Sequence, residues 1–443
     1  MGRRPQDMDA IVLDLILTAD VAEKQKIAKK IWAIGYKKGI YPSSINDLYM
    51  ARGRGEFKGF TVPAINLRCL TYDLAKAIFR VAKRNKAGVF IFEIAKSEMG
   101  YTDQSPLEYT SVCIAAAVKE EFAGPIFIQG DHFQLNHKKF AENPEKELDG
   151  VKAIIAEAME AGFYNIDIDS STLVDLSKTS IKKQQKSNYE VCAQLTQFIR
   201  QNQPRGVEVS VGGEIGEVGS KNSTPDELRA FMEGYKERLR KGRVGISKIS
   251  VQTGTSHGGV VLPDGSIAQV KLDFDTLREL SKIARGEFGL AGAVQHGAST
   301  LPAEAFNKFP ETETAEVHLA TEFQNMVYES KHFPGDLKNK IYEWLKVNAA
   351  GERKQGETEE QFFYKARKKA LGPFKKDIMG LPNEVRTAIA KEVEAKFEFL
   401  FHKLNAMNTK DLAAKHIQAK RVISRKRSPA TIPAGQRDSD GAD

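Results

Sequence analysis

At 443 residues the chain is long enough for one large domain with extensions or for two ordinary domains, and a hydrophobic content of 41% can fill a substantial core. No run approaches the roughly 20 apolar residues of a membrane span, and the apolar segment 11–17 carries Asp14 and lacks a signal-peptide pattern, so a cytoplasmic chain with no membrane partner is expected. Cys69, Cys113 and Cys192 lie far apart with no CxxC pair, which argues against a disulfide framework or a cysteine zinc site, and much of the net charge of +8 sits in one segment, AKRVISRKRS.

In chain order, residues 8–39 read as a helix closed by Gly39. From residue 60 the rhythm changes to short apolar, β-branched segments, each followed by a polar turn and a longer helical pattern. Eight strands are expected: FTVPAIN, GVFIFEI, GPIFIQGD, FYNIDID, GVEVSVGGE, ISKISVQTG, GLAGAVQH and AEVHLAT. Eight strands alternating with helices, apolar on both faces, predict a parallel sheet closed into a (β/α)8 TIM barrel; an open doubly wound sheet is the main competitor. The span 60–330 is close to the ~250 residues usual for such a barrel. After residue 330 the pattern is helical, lysine-rich and strandless, with breaks at Pro373 and Pro382. The expected organisation is therefore an α/β chain: an N-terminal helical segment (1–59), the barrel (60–330), a helical C-terminal extension (331–418), and a basic tail (419–443) too poor in apolar residues to order.

Polar residues interrupt the C-terminal ends of these strands: Asn66, Asp131 with His132, Asp169, Glu214, His257 and His296. Barrel active sites are built from that end of the sheet. Three histidines and several carboxylates converging on one mouth suit a catalytic zinc ion, which takes three protein ligands and keeps a position for water or substrate. In IFIQGDHFQLN, Asp131 and His132 are adjacent, and neighbouring side chains of a regular strand point to opposite faces. Gly130 and the end of the strand are expected to let both reach the mouth, as a metal ligand beside a proton-transfer carboxylate; the plainer alternative is a salt-bridged helix cap. The glycines of GTSHGG, HGAS and GGEIGEVG offer backbone amides for a phosphate dianion, and the spacing of the last, GxxGxxG, excludes the dinucleotide fingerprint.

Over residues 60–329 the chain resembles the class II, zinc-dependent fructose-bisphosphate and tagatose-bisphosphate aldolases. The resemblance lies in VPAIN, GDHF, FYNIDIDSS, GGEIG, GTSHGGV with KLDFDTLREL, HGAS and VHLATEF. It implies that His132, His257 and His296 are zinc ligands, with Glu214 and Asp169 as further metal or supporting carboxylates. It implies Asp131 as the acid/base at the oxygen of the carbon that becomes the aldehyde, Asn66 as a group holding the enediolate, and Gly258, Gly297, Ser299 and Thr321 as phosphate-binding. One Zn2+ or another divalent ion per chain and a phosphorylated sugar as substrate are implied with them; separately, the apolar stripes of the N- and C-terminal helices fit either a cover on the barrel or the interface of an expected homo-oligomer. The chain departs from the family pattern in three places: HGAST stands for HGGSG, Glu316 and His318 stand where the last strand usually has lysine and asparagine, and the loop after GGEIG reads GSKNS.

Three other readings fit parts of the sequence. Lys248, in ISKISV, offers a Schiff-base amine, although it lies well before His257 and reads as a solvated residue at the strand entrance. A barrel that has lost its own substrate could serve as the non-catalytic partner subunit of an aldolase. Nucleic-acid binding would rest on RVISRKRS alone, for which a solubilising tail is the simpler account.

Overall fold

The computed structural model describes residues 7–216, 221–254, 262, 272–420 and 422. Its nine strands are β1 (Ile40–Ser43), β2 (Val62–Asn66), β3 (Ile91–Ala95), β4 (Gly124–Gln134), β5 (Asn165–Asp169), β6 (Ser210–Glu214), β7 (Lys248–Val251), β8 (Ala293–Gln295) and β9 (Glu316–Leu319). The ladder runs β4-β3-β2-β9-β8-β7-β6-β5, and β5 pairs back onto β4, so eight parallel strands close into a barrel with helices between them. This is the (β/α)8 TIM barrel expected from the eight apolar segments.

The ninth strand, β1, was not anticipated. It pairs with the start of β4, Ile40 opposite Gly124 through Ser43 opposite Phe127, below the point where β5 takes over at Gln129. The Asn165 side chain ties the two together, donating to the Ser43 and Ile128 carbonyls and accepting from the Ile45 amide. The N-terminal segment also differs from the single helix expected over 8–39. It forms two helices, Met8–Leu17 and Val21–Lys37, because Asp20 caps the second by accepting from the Ala22 and Glu23 amides.

Alternate residues on each strand divide between two environments. Ile65, Phe92, Ile128, Ile166, Val211 and Ile249 point outward into a continuous core beneath the helices. Val62, Ala64, Ile91 and Phe127 belong to a separate cluster with Leu48 and Tyr49 of the helix Asn46–Gly53, which plugs the floor of the barrel. Above that plug the inward positions turn polar: Glu93, Gln129, Asp167, Lys248, Glu316 and His318 are all buried. The interior is therefore apolar at the floor and charged toward the mouth.

The helices after residue 330 pack onto the barrel. In the helix Asn383–Lys403, Phe397, Leu400 and Phe401 join the outer core, and Glu394 and Glu398 pair with Arg80 and Arg84 of the helix Thr71–Arg84 at 2.6–2.7 Å. Beyond it, the Leu404 carbonyl accepts from the Thr61 amide at 2.9 Å, and Thr409 Oγ1 accepts from the Gly88 and Val89 amides at 3.1 and 3.2 Å. Pro373 and Pro382 fall at breaks between helices, as their inability to continue one requires. Among the described residues no helix is long and apolar enough to cross a membrane.

Candidate active site

The adjacency of Asp131 and His132 is resolved by a bulge. The register between β4 and β5 steps from Gly130 opposite Ile166 to Phe133 opposite Ile168, so β4 carries one extra residue there, and His132 adopts φ +40°. A positive φ is costly for a residue with a side chain, and such strain persists only where the surroundings enforce it. Here the bulge turns two neighbouring side chains to the same end of the barrel. Gly130 is fitted to this turn: a Cβ at that position would lie 2.5 Å from the Phe133 ring.

Around the bulge, groups from five strand ends converge. His132 Nδ1 lies 3.1 Å from Asp169 Oδ2 and 3.5 Å from Glu214 Oε2; the His132 and His296 rings are 4.2 Å apart. His296 Nε2 lies 2.9 Å from Ser250 Oγ and 3.8 Å from Glu214 Oε2. Asp169 is fixed by Gln134 and Ser171, at 2.6 and 2.7 Å. Donor atoms of Asp131, His132 and His296 all lie within 4.8 Å of one another, as do those of His132, Asp169 and Glu214. A mixed imidazole and carboxylate set without thiolate, supported by hydrogen-bonded outer groups, has the chemistry of a site for zinc or a similar divalent ion.

The electrostatics agree with a cation site. Burial disfavours the charged form of His132, yet Asp131, Asp169 and Glu214 outweigh it and raise the imidazole well above its ordinary value. Burial would likewise raise Asp131, but His132 and His318 overcome it and hold the carboxyl well below the usual range. The same carboxylates that favour a proton on His132 favour any cation at this end of the barrel.

The other sequence candidates divide. Asn66 is buried at the end of β2 and donates to Glu98 Oε2 at 2.6 Å, leaving one amide N–H for another partner. Gly297 has φ +63°, and Ser299 Oγ accepts from the Glu322 amide at 3.3 Å, which places the loop after β8 against the helix Thr321–Glu329. Thr321 Oγ1 accepts from Arg68 at 3.5 Å. His257 and Gly258 lie outside the described residues.

Lys248 is not a solvated residue at the strand entrance. It is 1% exposed, and its Nζ donates to Gln129 Oε1 at 2.8 Å, Asp167 Oδ2 at 2.9 Å and Glu316 Oε1 at 2.5 Å. Burial works against its charge, but Asp167 and Glu316 outweigh it and hold the ammonium above its ordinary value. Two carboxylates supply what a lone lysine in a strand lacks.

Residues that strand-end reading passed over also line this region. Arg68, two residues beyond the end of β2, pairs with Glu98 at 2.6 Å, the carboxylate that also accepts from Asn66, and brings a guanidinium beside Thr321. Glu93 and Gln129 were hidden inside apolar segments. His318 was visible only as a departure from a pattern, although it faces Asp131 Oδ1 at 3.1 Å.

An eight-stranded barrel with imidazoles and carboxylates gathered at its C-terminal mouth defines a barrel enzyme whose chemistry belongs to those strand ends. A sequence model of the fructose-bisphosphate aldolase class-II family matches residues 54–403, and the chain belongs to that family of carbon–carbon lyases. Among solved structures, a probable tagatose 6 phosphate kinase from Sinorhizobium meliloti is similar at 16% identity and TM-score 0.55, covering 80% of this chain and 99% of that one, and it shares the fold. A fructose-bisphosphate aldolase from Campylobacter jejuni is 16% identical over 84% of this chain and 96% of its own, with TM-score 0.46. The YdjI aldolase from Escherichia coli K12 is 14% identical over 77% and 99%, with TM-score 0.43. No curated protein sequence matches the chain.

Proposed function

We propose that the chain is a metal-dependent aldolase that reversibly cleaves a phosphorylated ketose, of the fructose-1,6-bisphosphate type, into glycerone phosphate and an aldehyde. The observation that carries this reading is the bulge at His132, which sets Asp131 and His132 together against Asp169, Glu214 and His296 at the barrel mouth. Bound there, a zinc or similar ion supplies Lewis-acid polarisation of the ketone, lowering the cost of the enediolate.

His132 and His296 are its ligands, with His257 as the third by resemblance, and Asp169 and Glu214 orient or supplement them. Asp131 accepts the proton of the hydroxyl on the carbon that becomes the aldehyde; the carbon–carbon bond breaks, and its electron pair passes to the three-carbon fragment as the enediolate. Acid/base help of this kind is typically worth about 10² to 10⁴-fold in rate. The free N–H of Asn66 is a donor for the developing oxyanion. Gly258, Gly297, Ser299 and Thr321 take a phosphate, and Arg68 beside Thr321 adds positive charge at that end. Homo-oligomerisation through the helical extensions and a cytoplasmic setting complete the reading as proposals.

The Schiff-base reading is disfavoured because a nucleophilic amine must be unprotonated, whereas Lys248 is clamped as an ammonium between Asp167 and Glu316. The test is metal content by plasma mass spectrometry, with a screen of phosphorylated ketoses, on the unmodified chain and His132→Ala. About one divalent ion per chain, lost together with cleavage in the variant, is expected. An active chain that carries no metal even after reconstitution would sink the proposal.

A further inference from the structure

Below the mouth cluster, a second group of buried titratable side chains runs down the barrel axis, and the mechanism above makes no use of it. At its lower end the Tyr49 hydroxyl donates to Glu316 Oε2 from the helix that plugs the floor. The other oxygen of Glu316 receives Lys248 Nζ at 2.5 Å and Gln129 Nε2 at 2.7 Å, and faces His318 Nε2 at 2.7 Å. His318 Nδ1 in turn lies 3.1 Å from both Asp131 Oδ1 and Glu93 Oε2. Each ring nitrogen of His318 therefore faces carboxylate oxygens, and the ring packs on His296 with centroids 4.1 Å apart. A hydrogen-bonded chain, Tyr49 to Glu316 to His318 to Asp131, joins the floor of the barrel to the strained bulge.

We propose that His318 is a positioning residue: anchored from below by Glu316, it locks the carboxylate of Asp131 through Oδ1 in the orientation that serves carbon–carbon bond cleavage. The proposal rests on the reading of Asp131 as the acid/base. Asp131 needs such an anchor because it sits on a bulge, where the ladder to β5 is interrupted and only the pairing with Ala95 of β3 remains. Misplacing a reacting group by about 1 Å can cost on the order of 10²-fold in rate. Asp167 and Glu316 already hold the ammonium of Lys248, so the lower part of the network is filled by the protein's own cation and acts as a fixed base for the chain above it.

The experiment compares the metal-loaded wild type with His318→Ala and His318→Gln in three readouts: bound metal, kcat and KM for cleavage, and exchange of the carbon-bound proton of glycerone phosphate with solvent. Exchange forms the enediolate without involving the hydroxyl on which Asp131 acts, so it separates positioning of Asp131 from general damage. Expected are full metal occupancy, a cleavage kcat lowered about 10²-fold in the alanine variant and about 10-fold in the glutamine variant, KM within about 3-fold, and exchange near the wild-type rate. Glutamine keeps one donor toward Asp131 and carries the test if the alanine variant, which strips a partner from the four buried carboxylates Glu93, Asp131, Asp167 and Glu316, does not fold. Unchanged cleavage in the glutamine variant, or exchange falling in step with cleavage, would overturn the proposal. Failure of the underlying reading shows in the wild type itself: a metal-loaded chain that cleaves no phosphorylated ketose overturns both.

Discussion

The upper and lower halves of the barrel interior solve the same problem in opposite ways. Both bury several carboxylates, which without partners would be prohibitively costly. In the lower half the compensating charge is covalently part of the chain: Lys248 fills the space between Asp167 and Glu316. In the upper half the compensating groups are imidazoles around a bulge, the groups proposed above to hold a metal ion. A permanent ammonium gives a rigid foundation, whereas titratable imidazoles leave the upper half open to a change of charge.

The contrast is broken most severely at Lys248. Replacing it with methionine leaves Asp167 and Glu316 with only the His318 imidazole as a cationic neighbour, and a loss of about 3–5 kcal/mol is expected in denaturant unfolding. A change below 1 kcal/mol would show that the lower network is not the foundation described. A pH titration of the metal-free chain sharpens the comparison. Against the penalty of burial, Lys248 and His318 lower the Glu316 carboxyl from an ordinary 4.5 to about 2. A depressed folded value contributes stability that is fully present above pH 4.5 and is lost as pH falls toward 2. His318 has the opposite sign: its carboxylate neighbours raise it well above its ordinary 6.5 despite burial, so its share is complete below that pH and is lost only as pH climbs through the folded value. Thermal melts in chelator should therefore decline on both sides of a plateau between pH 4.5 and 6.5, and Glu316→Gln should flatten the acid side. The smallest effect serves as a reference outside both halves: Asp20→Ala removes a helix cap and should cost about 1 kcal/mol in thermal unfolding, without altering metal content.

The eight barrel strands were legible because both their faces are buried, which writes near-continuous apolar runs into the sequence. β1 was not, since IYPS is four residues long with a proline and becomes a strand only through the edge of β4. The mouth residues were legible as polar interruptions at strand ends, and the adjacency of Asp131 and His132 even announced a geometric conflict, though not that a left-handed His132 would settle it. Lys248 was misread because exposure is the default for a lysine, and its partners come from strands 81 and 68 residues away in sequence. His318 carries no local mark of its role either, because the carboxylates it joins lie on other strands or lower on its own.

The contacts made beyond the helix Asn383–Lys403 bear on how the chain acquires this structure. The backbone at the start of β2 and β3 is completed by Leu404 and Thr409, from the far end of the sequence. Pairings of such separation are reached late in folding, because the entropy of closing the intervening loop must be met before they form. The first strands of the barrel are thus among the last to be sealed, and an ordered catalytic mouth must wait for nearly the whole chain.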